Sequence, residues 1–229
     1  MVKELTSEIV KEYGLSAGAD VVGIAMADSF GSAPEGVRPS DNLEGCLSVI
    51  VLGIASPKEV LSDVAAYTDS RNVKLTKVTD IAKVVAKRIK ADGYKAKAIS
   101  GTGGKWLDCD GRKEHFGFIS LKHAAELAGL GVIGKNYLLT NPEYGNLLWL
   151  SAVLTTAKLI PDERSQFAMC DNCDKCVDAC PEDALDDIAS FKKKECGRYF
   201  IIEDKKLKIL CFICRTICPH CFGSNLVDQ

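Results

Sequence analysis

Cys170, Cys173, Cys176 and Cys180, followed by Pro181, form C-x2-C-x2-C-x3-C-P. Three thiolates so close in sequence can grasp three irons of one 4Fe-4S cubane, while the fourth, where proline redirects the chain, reaches a second cluster. A stretched second set lies downstream: Cys211, Cys214, Cys218 and Pro219 read C-x2-C-x3-C-P and lack one upstream thiol, which Cys196 supplies. Exchanging the fourth ligands gives one cluster on Cys170, Cys173, Cys176 and Cys218, and another on Cys196, Cys211, Cys214 and Cys180. Cys221, beside His220, is an alternative to Cys218 or a packed or reactive thiol. Two zinc sites of four cysteines each would also account for reduced thiols, but zinc knuckles require neither the triple run nor the paired C-P endings.

The stretch AGLGVIGKNYLL, residues 128–139, reads from Gly129 as G-x-G-x-x-G, and with Lys135 as G-x-x-x-x-G-K. A dinucleotide fold needs a strand before the first glycine and a long helix after the last. Here a helical pattern precedes the first glycine, and Pro142 and Gly145 prevent a long helix after the last. Asn136 stands where a phosphate loop carries its magnesium-binding hydroxyl. Both nucleotide readings fail on context.

The elements that must position these residues fall in two regions. Only Cys46 and Cys109 of the eleven cysteines precede Cys170. The first region predicts a helix after a Ser7 cap, strands in DVVGIAMA and CLSVIVLGIA, and a surface loop over residues 31–45. A long helix over 60–91, stopped near Gly93, leads to another strand, a short helix in ISLKHAAELAG, and a central strand in NLLWLSAVLTTAKLI. Pro161 and the charged PDERS mark a boundary, dividing an α+β domain of residues 1–162 from a cysteine-rich module of 163–229. The module has so little apolar material that it needs a metal staple.

The 229 residues, 47% hydrophobic, suit a globular chain, and the formal charge of −2 has both signs interspersed. That balance makes a nucleic acid an unlikely partner and an anionic membrane no better. The N-terminus lacks the apolar core of an export signal, so the expected location is the cytoplasm.

The series GLGVIGKNYLLTNPEYGNLLWLSAVLT, with both cysteine sets and with GADVVGIA, APEGVRPSDNLEGCLSVIVLGIA and GYKAKAI upstream, resembles the epoxyqueuosine reductase and reductive dehalogenase family. The resemblance implies a nitroreductase-like α/β/α domain that binds cobalamin, then a bacterial-ferredoxin-like module with two 4Fe-4S clusters. Electrons would come from a ferredoxin or flavodoxin and pass through the clusters to the corrinoid, which reduces a small-molecule or corrinoid-type substrate. Gly129, Gly131 and Gly134 would give close approach to that flat cofactor, with Lys135, Asn136 and Tyr144 on its amide edge and His123 near it. The family's Y-x-x-G-R-D-Y-H motif is similar to residues 67–74, where Tyr67 and Arg71 are kept and Asn72 replaces the proton-donating Asp. An amide is no acid, so Tyr67 or Asp69 would have to donate instead. Two other readings stand beside a corrinoid reductase: an electron-transfer or docking protein that has lost the corrinoid, and a flavin-containing variant.

Overall fold

The computed structural model describes residues 4–109, 112–167, 170, 172–186, 191–203 and 206–227. The chain falls into two compact units that do not follow a single boundary near residue 162.

The first unit comprises Met1–Ile54, Leu75–Leu130 and Trp149–Ser165. Its sheet has the order β1 (Val21–Met26), β2 (Ser48–Ala55), β8 (Leu148–Thr155) and β3 (Ala96–Ile99). The apolar runs predicted as strands are β2 and β8, and both are buried along nearly their whole length because they hold inner positions in the sheet. Helix α1 (Ser7–Ser16) and the long α3 (Val64–Ala91) contribute Val10, Val78, Val85 and Ile89 to a core shared with Ile24, Leu52 and Val153. Short elements complete the unit: α2 (Pro39–Asn42), the hairpin of β4 (Lys105–Cys109) and β5 (Arg112–Phe116), and α4 (Leu121–Leu127).

Two local details differ from the sequence expectation. Thr6, not Ser7, caps α1, accepting from the Ile9 N–H at 3.4 Å. Ser7 is buried, and its hydroxyl accepts from Ile160 N–H (2.8 Å) and donates to Ile160 O (3.0 Å). Helix α3 starts at Val64, after a 3-10 turn over Lys58–Ser62, because Asp63 Oδ1 accepts from the N–H groups of Ala65 (2.7 Å) and Ala66 (2.9 Å).

The second unit gathers Ala55–Lys74, Gly131–Leu148 and Gln166–Gln229. It holds the first part of α3, the small hairpin of β6 (Val132–Ile133) and β7 (Leu139–Thr140), and the cysteine-rich segment. In that segment α5 (Lys175–Asp178) carries Cys176, α6 (Lys193–Cys196) ends on Cys196, and α7 (Ile213–Thr216) carries Cys214. A hairpin of β9 (Phe200–Glu203) and β10 (Lys206–Ile209) and the final turn α8 (Ser224–Val227) complete it. The unit is larger than residues 163–229 because the cysteine segment, poor in apolar side chains, has backbone groups that find partners in the two upstream segments. Asn146 N–H donates to Cys221 O (3.0 Å), Ser224 N–H to Pro142 O (3.1 Å) and Asn225 N–H to Glu143 O (2.9 Å). Gly145 makes this possible: at φ 58° it takes a left-handed turn, and a Cβ there would lie 2.0 Å from Cys221 O.

Candidate iron-sulfur site

The loop that opens the first cysteine set is wound by left-handed residues without glycine. Cys170 has φ 65° and Asn172 φ 52°, and Cys173 N–H donates to Cys170 O at 3.3 Å. Such conformations cost about 1–2 kcal/mol each for a residue with a Cβ, and strain of this kind gathers where a ligand is clamped.

The thiols sort into two sets. Cys176, buried on α5, has Cys170, Cys218 and Cys173 as electrostatic neighbours; burial first, and those thiols after it, push its thiol up to about 11. Cys214 on α7 neighbours Cys196, Cys211 and, across the contact of α5 with α7, Cys176; its burial drives it to about 12. Burial first, then Glu182, Cys211 and Cys180, raise the Tyr199 phenol, so both thiols are its electrostatic neighbours. The sulfurs also receive backbone bonds: Ala184 N–H donates to Cys180 Sγ (3.3 Å), and the His220 N–H opposes the rise that burial imposes on Cys218. Cys176 thus keeps company with Cys170, Cys173 and Cys218, and Cys214 with Cys196 and Cys211 as well as Cys176.

Among the described residues, no three His, Cys, Asp or Glu side chains close on a single ion. Tetrahedral zinc with bonds of about 2.3 Å would need its sulfurs about 3.8 Å apart; in a cubane each cysteine binds a different iron, so the sulfurs stand wider. The donor chemistry, thiolate throughout, fits clusters.

Around the thiols is a polar frame that sequence reasoning missed. Arg215 is only 6% exposed, and its Nη1 donates to Asn146 Oδ1 at 3.2 Å. Asn146, 2% exposed, donates from Nδ2 to Arg215 O (3.2 Å), and its Oδ1 also accepts from Cys221 Sγ (3.6 Å). The Arg215 guanidinium lies 5.6 Å from the centre of the Tyr67 ring, and Tyr67 packs on Phe212 with centroids 4.5 Å apart. Thr68 Oγ1 accepts from Ile209 N–H at 3.2 Å. An arginine directly after a cluster-spaced cysteine was the one available signal, because a charge in so crowded a segment must be buried or bridge something.

The residues nominated for a corrinoid have other partners. Gly129 ends α4: at φ 73° its N–H bonds Glu126 O and the Leu130 N–H bonds Ala125 O, a Schellman stop. Space beside it is taken, since a Cβ there would lie 2.2 Å from Glu163 O. At Gly131 a Cβ would lie 2.2 Å from Thr140 O, so that close approach is to the loop's own return strand. Gly134 accepts from Tyr137 N–H (2.8 Å), closing a turn whose tip faces the cysteine segment. At that tip Lys135 pairs with Asp174, Asn136 Nδ2 donates to Cys214 O (3.2 Å) while its Oδ1 accepts from Leu138 N–H, and Tyr137 stacks on Phe191. Tyr144 sits half-buried in the NPEYG turn, its N–H on Asn141 Oδ1 (3.0 Å). His123 belongs to the first unit, exposed, its Nδ1 bonded to Ser120 Oγ.

For proton delivery the structure separates the two nominees. Asp69 is exposed; Tyr67 is buried at 4% exposure beside Arg71. Burial pulls the Arg71 guanidinium down, the Tyr67 phenol opposes that, and Nη1 donates to Asn72 Oδ1 at 2.8 Å. Cys46 is buried in the first unit, and the Cys109 side chain lies outside the described residues.

Residues 167–186 match the 4Fe-4S binding domain family. The chain is thus a mixed α/β protein with a 4Fe-4S binding segment. It is similar in sequence to epoxyqueuosine reductases and similar in fold to solved reductive dehalogenases, as its motifs indicated. It is 26% identical to the epoxyqueuosine reductase of Bacillus subtilis over 95% of its own length and 64% of that protein's. An epoxyqueuosine reductase solved with an epoxyqueuosine-modified tRNA stem loop superposes with a TM-score of 0.64 at 23% identity, over 93% of this chain and 64% of that one. A reductive dehalogenase, described in terms of B12-dependent dehalogenation, gives 0.68 at 24% identity, over 93% and 31%. This chain therefore spans about two-thirds of the reductases and about a third of the dehalogenase. That neighbour binds nucleic acid, so a net charge of −2 with mixed signs, which does not describe any one surface, is no ground for expecting nucleic acid to be an unlikely partner of this fold. No described helix is long and apolar enough to cross a membrane.

Proposed function

We propose that the chain is an iron-sulfur oxidoreductase of the epoxyqueuosine reductase kind, taking electrons from a ferredoxin- or flavodoxin-type donor through two 4Fe-4S clusters to a reducible substrate. The observation that carries this is the partition of the thiols, with Cys170, Cys173 and Cys218 about Cys176, and Cys196 and Cys211 about Cys214. Cys170, Cys173, Cys176 and Cys218 would hold one cluster, and Cys180, Cys196, Cys211 and Cys214 the other. When bound, such clusters supply one-electron steps at low potential. The residues around them shield and orient: Asn136, Asn146 and Thr68 satisfy the backbone of the cysteine segment. Tyr67, with Arg71 beside it, is the proton donor of this reading; the guanidinium balances the charge left when a phenol gives up its proton.

A corrinoid is the acceptor that the B12-dependent relative brings forward. Gly129, Gly131 and Asn136 face protein backbone instead of an open cradle, so these residues do not fit the group and no step is drawn through it. That same occupancy favours a second reading, an electron-transfer protein that docks its clusters against a partner enzyme.

Reconstitution with iron and sulfide without oxygen, then assay with a chemical reductant in place of a partner protein, separates the readings. The first predicts substrate reduction by the chemical reductant alone. Clusters that form normally, with no turnover without a partner protein, would establish the second. A gel-shift assay with a tRNA stem loop tests the substrate class of the reductase relatives.

A further inference from the structure

Lys192, Lys193 and Lys194 are exposed at the start of α6, the turn that ends on Cys196. Residues 192–208 hold seven Lys and Arg against three Asp and Glu, a local balance of +4 in a chain whose sum is −2. From Lys194 the chain runs through α6 and a 3-10 turn (Gly197–Tyr199) packed on it, where exposed Arg198 pairs with Glu182. Six residues at helical rise bring it to Phe200 within about 9–12 Å. There β9 exposes three apolar side chains in a row, Phe200 (46% exposed), Ile201 and Ile202 (79%). Among the described residues β9 pairs with β10 alone, and it is β10 that is anchored, with Ile209 buried and its N–H on Thr68 Oγ1. Each methylene left in water forgoes about 0.8 kcal/mol of burial, and an apolar patch bordered by charge marks a surface that another molecule covers.

We propose that this basic and apolar surface docks an acidic electron carrier of the ferredoxin or flavodoxin class, which delivers its electron to the cluster of Cys180, Cys196, Cys211 and Cys214. The inference rests on the two-cluster reading and adds the face by which electrons enter. Two of that cluster's ligands flank the segment: Cys196 closes α6, and Cys211 lies two residues beyond the end of β10. A carrier seated on the segment is therefore a short turn of chain from the metal. One electron leaves the reduced carrier, which is oxidised, and enters the cluster, which becomes more negative by one charge; no bond or proton moves. Weak electron-transfer complexes bury under about 1,200 Å² in all, a disc about 28 Å across on each partner, so the lysines and the apolar row fit one footprint. The lysines attract and orient an acidic partner, and the apolar side chains supply the dry centre of the contact. Lysines attract RNA as well, but unpaired bases are held on aromatic faces, and two of the three apolar side chains here are isoleucines.

The test is stopped-flow reduction of the full chain, reconstituted without oxygen, by a reduced acidic 2Fe-2S ferredoxin and, separately, by photoreduced 5-deazariboflavin, a small neutral donor that needs no docking face. In the parent the ferredoxin rate should fall at least about tenfold between about 0.02 and 0.5 M salt. Lys192→Glu combined with Lys194→Glu should lower the low-salt ferredoxin rate at least about tenfold. Ile202→Ser should lower it at low and high salt alike. Both variants, altered only at exposed positions, should keep the parent's iron content and its rate with deazariboflavin. A ferredoxin rate within about twofold of the parent's in either variant would overturn the proposal and leave the clusters standing. So would a parent reduced by deazariboflavin but not by ferredoxin, or a tRNA stem-loop gel shift lost in the charge-reversed variant while its ferredoxin rate holds. A parent chain that takes up no iron would overturn the two-cluster reading and the proposal with it.

Discussion

Asn146 meets the second cysteine set with both ends of its amide and with its backbone N–H. Replacing it by alanine leaves the buried Arg215 without that acceptor and the Arg215 carbonyl without that donor. Urea unfolding of Asn146→Ala should show a loss of about 2–4 kcal/mol; a loss under about 0.5 kcal/mol would mean that the frame adds nothing to stability. At this scale the 4Fe-4S segment of residues 167–186 was legible, because cluster ligation demands a particular thiol type at particular spacings. Asn146 and Arg215 were not, since a buried polar pair between residues so far apart in sequence leaves no periodic trace. Asn136 was noticed for the wrong partner: as a misfit in a nucleotide loop, where the structure has it donating to Cys214 O.

The glycines and caps act at the level of elements. Gly145 turns the NPEYG segment so tightly against Cys221 that Gly145→Ala meets both a left-handed φ and a carbonyl 2.0 Å away. The expected loss is about 3 kcal/mol or more, seen as a lowered unfolding midpoint. Gly197, following α6 at φ −64° with nothing within 4 Å of a Cβ, is the control: Gly197→Ala should change stability by less than about 1 kcal/mol. The start of α3 has a pH dependence of known sign. Bonds from the Ala66 and Ala65 N–H groups hold the Asp63 carboxyl below its usual range. Its contribution is therefore present above the unfolded value of about 3.9 and lost as pH falls through the depressed folded value. Amide exchange at Ala65 and Ala66 should quicken below about pH 4 in the parent, and show no such step in Asp63→Asn; an equal step in both would remove Asp63 as its cause. The strands and the long helix were legible from their apolar runs. The helix start was misplaced, because its cap is a local side-chain bond and not a periodicity.

For the whole molecule, the sequence divides at the charged PDERS stretch, whereas the compact units draw Ala55–Lys74 and Gly131–Leu148 into company with the cysteines. Composition cannot reveal this, since the bonds that unite them run from backbone to backbone and to single amides. Whether eight of these thiols hold two cubanes with their fourth ligands exchanged is decided by iron and acid-labile sulfide analysis, with EPR of the reduced chain. The protein is reconstituted without oxygen, as the parent and as Cys218→Ser. Two cubanes give about eight irons and eight sulfides per chain. Cys218→Ser should perturb the signal of the Cys170, Cys173 and Cys176 cluster and leave that of the Cys211/Cys214 cluster. Zinc in place of iron, a single cluster in the parent, or damage in Cys218→Ser confined to the Cys211/Cys214 cluster would refute the assignment.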